Sequence, residues 1–183
     1  LTIEDIKNIE FDLDHYILVS RMRDGTEIKI TKEFILPLLQ DKIEKIEDEG
    51  AKVTIIMCTG KFPKFNSKGL IVTPSEILKG TLKGSLKAGK IGVVYPTVEQ
   101  IKYAEKDFGR DGIEVYADSV SPYEPKDIEG LLERLRAKDL DLIFLNCFGF
   151  PSELKEAVVK ATGKPTIQSN SLVARVLKEL VSG

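Results

Sequence analysis

Hydrophobic and polar positions along the chain follow two alternating rhythms. Short apolar runs at 53–57 (VTIIM, broken only by Thr54), 91–95 (IGVVY) and 142–145 (LIFL) read as strands buried on both faces of a parallel sheet. Stretches with apolar residues three and four apart read as helices that bury one stripe. The plainest is 31–50, with Ile35, Leu38, Leu39, Ile43 and Ile46 inward, Pro37 in its first turns and Gly50 as its stop. A second is 126–138, with Ile128, Leu131, Leu132 and Leu135 inward. Punctuation residues place the rest. Residues 1–9 read as a helix with Thr2 at its N-cap, and 15–22 and 27–30 as two strands joined by the Arg23-Asp24-Gly25-Thr26 hairpin signal. A long loop at 59–73 holds a short strand at 70–72, and Pro74 opens a helix that runs to about Lys87. Thr97 caps a helix at 98–108, and a strand at 113–117 leads into the polar loop 119–125. A helix at 151–162 stops at Gly163, a strand follows at 165–168, and Ser169-Asn170-Ser171 caps the last helix, 172–181. From Thr31 onward helix and strand alternate, so the expected class is α/β with a mainly parallel sheet.

Composition narrows the function classes. With 183 residues, 42% of them hydrophobic, the chain is long enough for one large domain or two small ones. Charged residues make up 31%, in both signs, with a net charge of −2, which argues against a nucleic-acid partner. No apolar run approaches the roughly 20 residues of a membrane span, and no signal-peptide pattern is present. The single histidine, His15, speaks against a histidine-rich metal site and a Ser-His-Asp triad. Gly84–Lys90 spells G-x-x-x-x-G-K, but Ile91 stands where a phosphate-binding loop needs Ser or Thr, and the segment precedes a strand where it should follow one. Two cysteines do not make a disulfide framework, so a reduced, cytoplasmic protein is expected.

Those two cysteines carry the chemistry. Cys58 ends the run 53–57 and Cys147 follows the run 142–145, each in a Cys-x-Gly motif. Ile43 and Ile46 precede Cys58 at the spacings at which Leu132 and Leu135 precede Cys147. Gly89-Lys90 and Gly163-Lys164 each lead into a strand, repeating the pattern. Two related halves, each presenting one cysteine at a strand end, are therefore expected; ordinary core cysteines are the competing reading. Ligands in open α/β sheets sit beyond the carboxyl ends of the strands, where both cysteines lie. A thiolate and a thiol on opposite sides of one carbon can invert it, one removing a proton and the other delivering one. Backbone and hydroxyl donors at Thr59-Gly60, Phe148-Gly149 and Ser169-Asn170 suit a substrate carboxylate or a developing enolate. Lys61 and Lys64 on the long loop either meet an anion or are simply solvated.

Cys58-Thr59-Gly60 with Phe62-Pro63, the run 145–150 (LNCFGF), Ser121-Pro122-Tyr123 and Ser169-Asn170 with Ala174-Arg175 resemble the AroM family, itself similar to the aspartate/glutamate racemase superfamily. The resemblance runs from about Arg23 to the end. It implies two pseudo-symmetric α/β lobes, 1–88 with 170–183 and 89–169, and an active site in the cleft between them. It further implies a cofactor-independent, cysteine-pair racemase or isomerase acting on a small carboxylate or amino acid. Cys58 and Cys147 are the catalytic pair, with Thr59, Gly60, Tyr95, Thr97, Tyr123, Phe148, Gly149, Ser169 and Asn170 binding substrate. No metal and no cofactor are called for. The partners are the small-molecule carboxylate and a second copy in a homodimer. The alternative is a non-catalytic small-anion-binding or regulatory module. The chain departs from the resemblance in lacking the family's leading strand and Gly-Gln-Ser-Pro-Arg-like loop, which implies a missing leading segment, and in carrying Lys61 where an acidic residue is expected.

Overall fold

The structure is a computed structural model that describes residues 15–182 together with Ile6 and Ile9. The helix expected at 1–9 lies, but for Ile6 and Ile9, outside the described residues. The chain forms two compact units, 1–56 with 60–73 and 57–59 with 74–183.

In the first unit, β1 (Ile17–Arg21) and β2 (Glu27–Thr31) form an antiparallel hairpin, Arg21 opposite Glu27. Its turn is the Asp-Gly signal in action: Gly25 takes φ 95, and Asp24 Oδ1 accepts from Thr26 N at 3.0 Å. Thr31 then caps α1 (Lys32–Asp48), its hydroxyl oxygen accepting from Phe34 N at 3.3 Å. Pro37 is the sixth helical residue, in the second turn, where it removes the bond to the Glu33 carbonyl on an exposed face. Ile43, at 2% exposure, anchors the inward stripe.

The strand expected at 53–57 is shorter than its apolar run. β3 is Val53–Ile55, parallel to β4 (Leu70–Val72), and Met57 is 74% exposed. The reason is the partner: Ile56 N still reaches Val72 O at 3.2 Å, but Thr73 and Pro74 follow, and Pro74 begins a helix with no N–H to give. The long loop that joins the two strands is tied to α1. Gln40 exchanges bonds with the backbone of Asn66 at 3.0 Å in both directions, and Glu47 accepts from Lys68 N and Gly69 N at 2.9 Å each.

The second unit is built on a four-stranded parallel sheet, β5 (Gly89–Tyr95), β6 (Ile113–Ser119), β7 (Leu142–Leu145) and β8 (Thr166–Gln168), in the order β6-β5-β7-β8. The helices are α2 (Pro74–Ser85), α3 (Ala104–Phe108) after a 3-10 turn at Val98–Tyr103, α4 (Ile128–Ala137), α5 (Ser152–Thr162) and α6 (Ser169–Val181). Val94, Ile143 and Leu145 pack with Leu131 and Leu135 of α4 and Leu154 and Val158 of α5 in one apolar cluster. On the other face the rings of Phe108 and Phe144 meet edge to face at 5.5 Å. Gly163 ends α5 in the left-handed region, φ 67, as its position predicts. The α/β class and the parallel sheet are thus as the alternation implied. Gly89 and Lys90 open β5, so the segment before it is no phosphate loop.

Candidate functional site

Strand order decides where a site belongs. The chain steps from β5 to β6 on one side and then to β7 on the other, so β5 and β7 flank a topological switch point. Ligands of open parallel sheets bind beyond the carboxyl ends at such points. Here those ends carry Tyr95-Pro96-Thr97 and Asn146-Cys147-Phe148-Gly149, and Asn146 N donates to Val94 O at 2.8 Å to extend the pairing. The short segment 57–59 clusters with this unit. Thr59 Oγ1 donates to Asn146 O at 3.3 Å. The residue after Cys58 therefore touches the residue before Cys147.

The two thiols differ in setting. Both are free; Cys58 is half-buried, and Cys147 is 9% exposed at the edge of the apolar cluster with Val94, Leu145 and Phe150. Gly149 N–H points back at Cys147 Sγ, 3.3 Å away. A donated N–H favours the charged form of a sulfur, whereas apolar neighbours favour the neutral form.

The turn that carries Cys147 is held from behind. Asn170 Nδ2 donates to Phe148 O at 3.0 Å and to Phe150 O at 2.9 Å, and buried Gln168 Nε2 adds a bond to Phe150 O at 2.7 Å. Ser169, fully buried, donates its hydroxyl to Leu145 O at 2.6 Å. The cap expected from Ser169-Asn170-Ser171 is corrected: these residues form the first turn of α6, Gln168 precedes it, and no side chain caps it. The nearby carbonyls of β7 and its turn take the hydroxyl and the amide instead. Thr97 is likewise extended before its 3-10 turn but makes no cap bond; its hydroxyl donates to the Glu99 carboxylate. In front, the loop 119–125 leans on the turn. A Cβ at Gly149 would lie 2.7 Å from Tyr123 Oη and 3.1 Å from Pro122 Cβ, so only glycine admits this approach. Ser121 Oγ fixes the loop by accepting from Tyr123 N at 3.1 Å and Glu124 N at 2.7 Å.

Tyr95, Thr97, Tyr123, Cys147, Phe148, Gly149, Ser169 and Asn170 thus lie on segments at the carboxyl end of one sheet, with Cys58 and Thr59 joined through the Asn146 contact. Gly60 is buried and belongs to the first unit; Lys61 and Lys64, also of that unit, are exposed. Sequence reasoning passed over Asn146 and Gln168, each directly beside a chosen residue, and Glu99, two residues after Thr97. It also passed over Arg134, which forks onto Asp118 at 2.8 and 3.2 Å and reaches Asp127 at 2.9 Å. Burial and the neighbouring Asp118 charge push the Tyr116 phenol up. Burial pushes the Tyr95 phenol up more strongly, with the Asp107 charge adding to it and the Asn146 side chain opposing it. Among the described residues no three His, Cys, Asp or Glu side chains gather as a metal site, and no helix is long and apolar enough to cross a membrane.

A family model described as AroM protein matches residues 1–181. No curated protein sequence matches the chain. Among solved structures, glutamate racemase from Francisella tularensis in complex with D-glutamate superposes with a TM-score of 0.59 at 18% identity, over 88% of this chain and 67% of that one. Arylmalonate decarboxylase gives 0.60 at 16% identity, over 85% and 81%. Aspartate racemase from Picrophilus torridus gives 0.52 at 15%, over 79% and 68%. At such identities the likeness is one of fold: this chain has the fold of the aspartate/glutamate racemases.

Proposed function

Because the chain belongs to the AroM family, whose fold is that of enzymes that work on small acids, we propose that it is a cofactor-independent cysteine-pair racemase or isomerase acting on a small carboxylate or amino acid. The observation that carries this reading is the Thr59–Asn146 contact, which joins the Cys58 and Cys147 segments at the switch point of a parallel sheet. The thiolate of one cysteine removes the proton next to the carboxylate, leaving an enolate-like carbanion. The thiol of the other returns a proton to the opposite face, and the two sulfurs exchange protonation states with each turnover. Sulfurs flanking one carbon at reacting distance lie about 7 Å apart. Cys147 lies among apolar neighbours with the Gly149 N–H aimed at its sulfur, and Cys58 is half-buried. Backbone N–H groups of the 147–150 turn bind the substrate oxygens, while Ser169 and Asn170 position that turn.

The test is solvent-deuterium incorporation across amino acids and small dicarboxylates, read by mass spectrometry and by chiral separation. Cys58→Ala and Cys147→Ala each abolish interconversion of enantiomers, and each retains exchange into only the enantiomer that faces the remaining cysteine. Tolerance of either change by a racemising enzyme overturns the two-base scheme. Absence of exchange from every substrate overturns turnover. One observation favours a second reading: Cys147 packs in the apolar cluster. On that reading the site binds a small anion without chemistry, and both alanine variants keep full affinity.

A further inference from the structure

Across the carboxyl edge of the four-stranded sheet the strand registers align one polar row. Tyr95 pairs with Ser119; Val94 pairs with Leu145, which sets Tyr95 beside Asn146; and Leu145 pairs with Gln168, which sets Asn146 beside Ser169. Ser169 spends its hydroxyl on Leu145 O. Tyr95 does not spend its own: the side chain is fully buried, and among the described residues its hydroxyl is the one buried side-chain polar atom with no hydrogen-bond partner. The Asn146 carboxamide lies beside the phenol and opposes the rise of its pKa, as an N–H facing the phenol oxygen would, yet without the alignment of a hydrogen bond, and the phenol O–H has no acceptor. A phenylalanine would fill the same space without an orphaned donor, and so the unused hydroxyl calls for an explanation.

We infer that Tyr95 is a positioning residue: its O–H donates to Asn146 Oδ1 when a ligand occupies the site, which turns Asn146 Nδ2 toward the ligand carboxylate beside Cys147. A carboxamide suits this part because its oxygen accepts on one side while its two N–H groups donate on the other. Active-site hydrogen bonds are often misaligned before ligand arrives and tighten in the complex. Neighbouring geometry constrains the relay. Asn146 is 6% exposed, its N–H is fixed to Val94 O and its carbonyl to Thr59 Oγ1, so only the side chain is free to turn. The inference rests on the carboxylate reading above and adds a residue that reads the ligand through another.

Tyr95→Phe separates the two roles a buried tyrosine can have. Unfolding of the ligand-free protein followed by calorimetry is expected to show the variant more stable than the wild type, by about 2 °C or more, since an unpaired buried hydroxyl is removed. Binding of acetate, malonate, succinate and glutarate, followed by ligand-observed NMR, is expected to weaken about fivefold to tenfold for whichever the wild type binds. Asn146→Ala loses at least as much, and Tyr95→Phe combined with Asn146→Ala loses no more than Asn146→Ala alone. A less stable Tyr95→Phe protein overturns the inference, because the hydroxyl is then already bonded without ligand. Unchanged affinity in Tyr95→Phe, or additive losses in the double variant, also overturns it and leaves the carboxylate site standing. Failure of the wild type to bind any of the four acids overturns the carboxylate site and this inference with it.

Discussion

Asn170 offers the sharpest test of how the Cys147 turn is held. Its Nδ2 supports two carbonyls, Phe148 O at 3.0 Å and Phe150 O at 2.9 Å. Replacing Asn170 with Ala removes both bonds, but the losses are unequal. Phe150 O keeps Gln168 Nε2 at 2.7 Å, whereas Phe148 O loses its donor from α6. One hydrogen bond is worth about 0.5–1.5 kcal/mol net, so one full and one partial loss come to about 1–2 kcal/mol. For a chain of this size that lowers the melting temperature by about 2–8 °C. Asn170→Asp is the discriminating variant, because it sets a carboxylate oxygen against two carbonyl oxygens. As a residue of the first turn of α6, an aspartate also gains from the helix dipole, by about 0.3–1 kcal/mol. If Asn170 clamps the turn, the repulsion wins and Asn170→Asp melts below Asn170→Ala. Scanning calorimetry supplies the order, and alkylation of Cys147 by iodoacetamide, faster in both variants, supplies the local readout. An aspartate variant more stable than the alanine variant would refute the clamp and return Asn170 to the role of a simple helix cap. So would an alanine variant that melts with the wild type.

Further outcomes follow from the same geometry. Gly149→Ala drives a methyl to 2.7 Å from Tyr123 Oη and must displace that loop; the expected cost is about 1–3 kcal/mol in chemical denaturation, and Gly149→Ala combined with Tyr123→Ala recovers part of it. If the single variant is as stable as the wild type, the close approach is absent in solution. Asp127 is held below the ordinary carboxylate pKa chiefly by the hydrogen bond from Arg134. A depressed native pKa gives stability that is present above the unfolded value and lost as pH falls through the native one. The melting temperatures of wild type and Asp127→Asn should therefore differ at neutral pH and converge as pH falls below about 4. A gap that does not change with pH would remove the charge pair from the account. Because Asn also caps helices well, any difference at neutral pH reports the pairing with Arg134 more than the cap bond to Gly130 N.

Local signals were read from the chain where local chemistry decides. The run 142–145 is buried at all four positions, Asp24-Gly25 turns the hairpin, and Gly163 closes α5, because four contiguous apolar side chains, a positive φ and a helix end are each set by neighbouring residues. The α/β class followed from the alternation, and the two cysteine motifs stood out by their repeat. Tertiary structure decided what depends on a distant partner. The length of β3 was set by Pro74, twenty residues on, which ends the ladder of β4. Ser169 has the composition of a cap, but the fold brought the Leu145 carbonyl, 24 residues away, within reach of its hydroxyl, and a side chain bonds to whichever group is nearest. The strand order that makes β5 and β7 a switch point, the Thr59 contact to Asn146 and the unspent hydroxyl of Tyr95 have no local signature. Periodicity reports which face of an element is buried; hydrogen-bond partners across a sheet are chosen only when its strands have assembled.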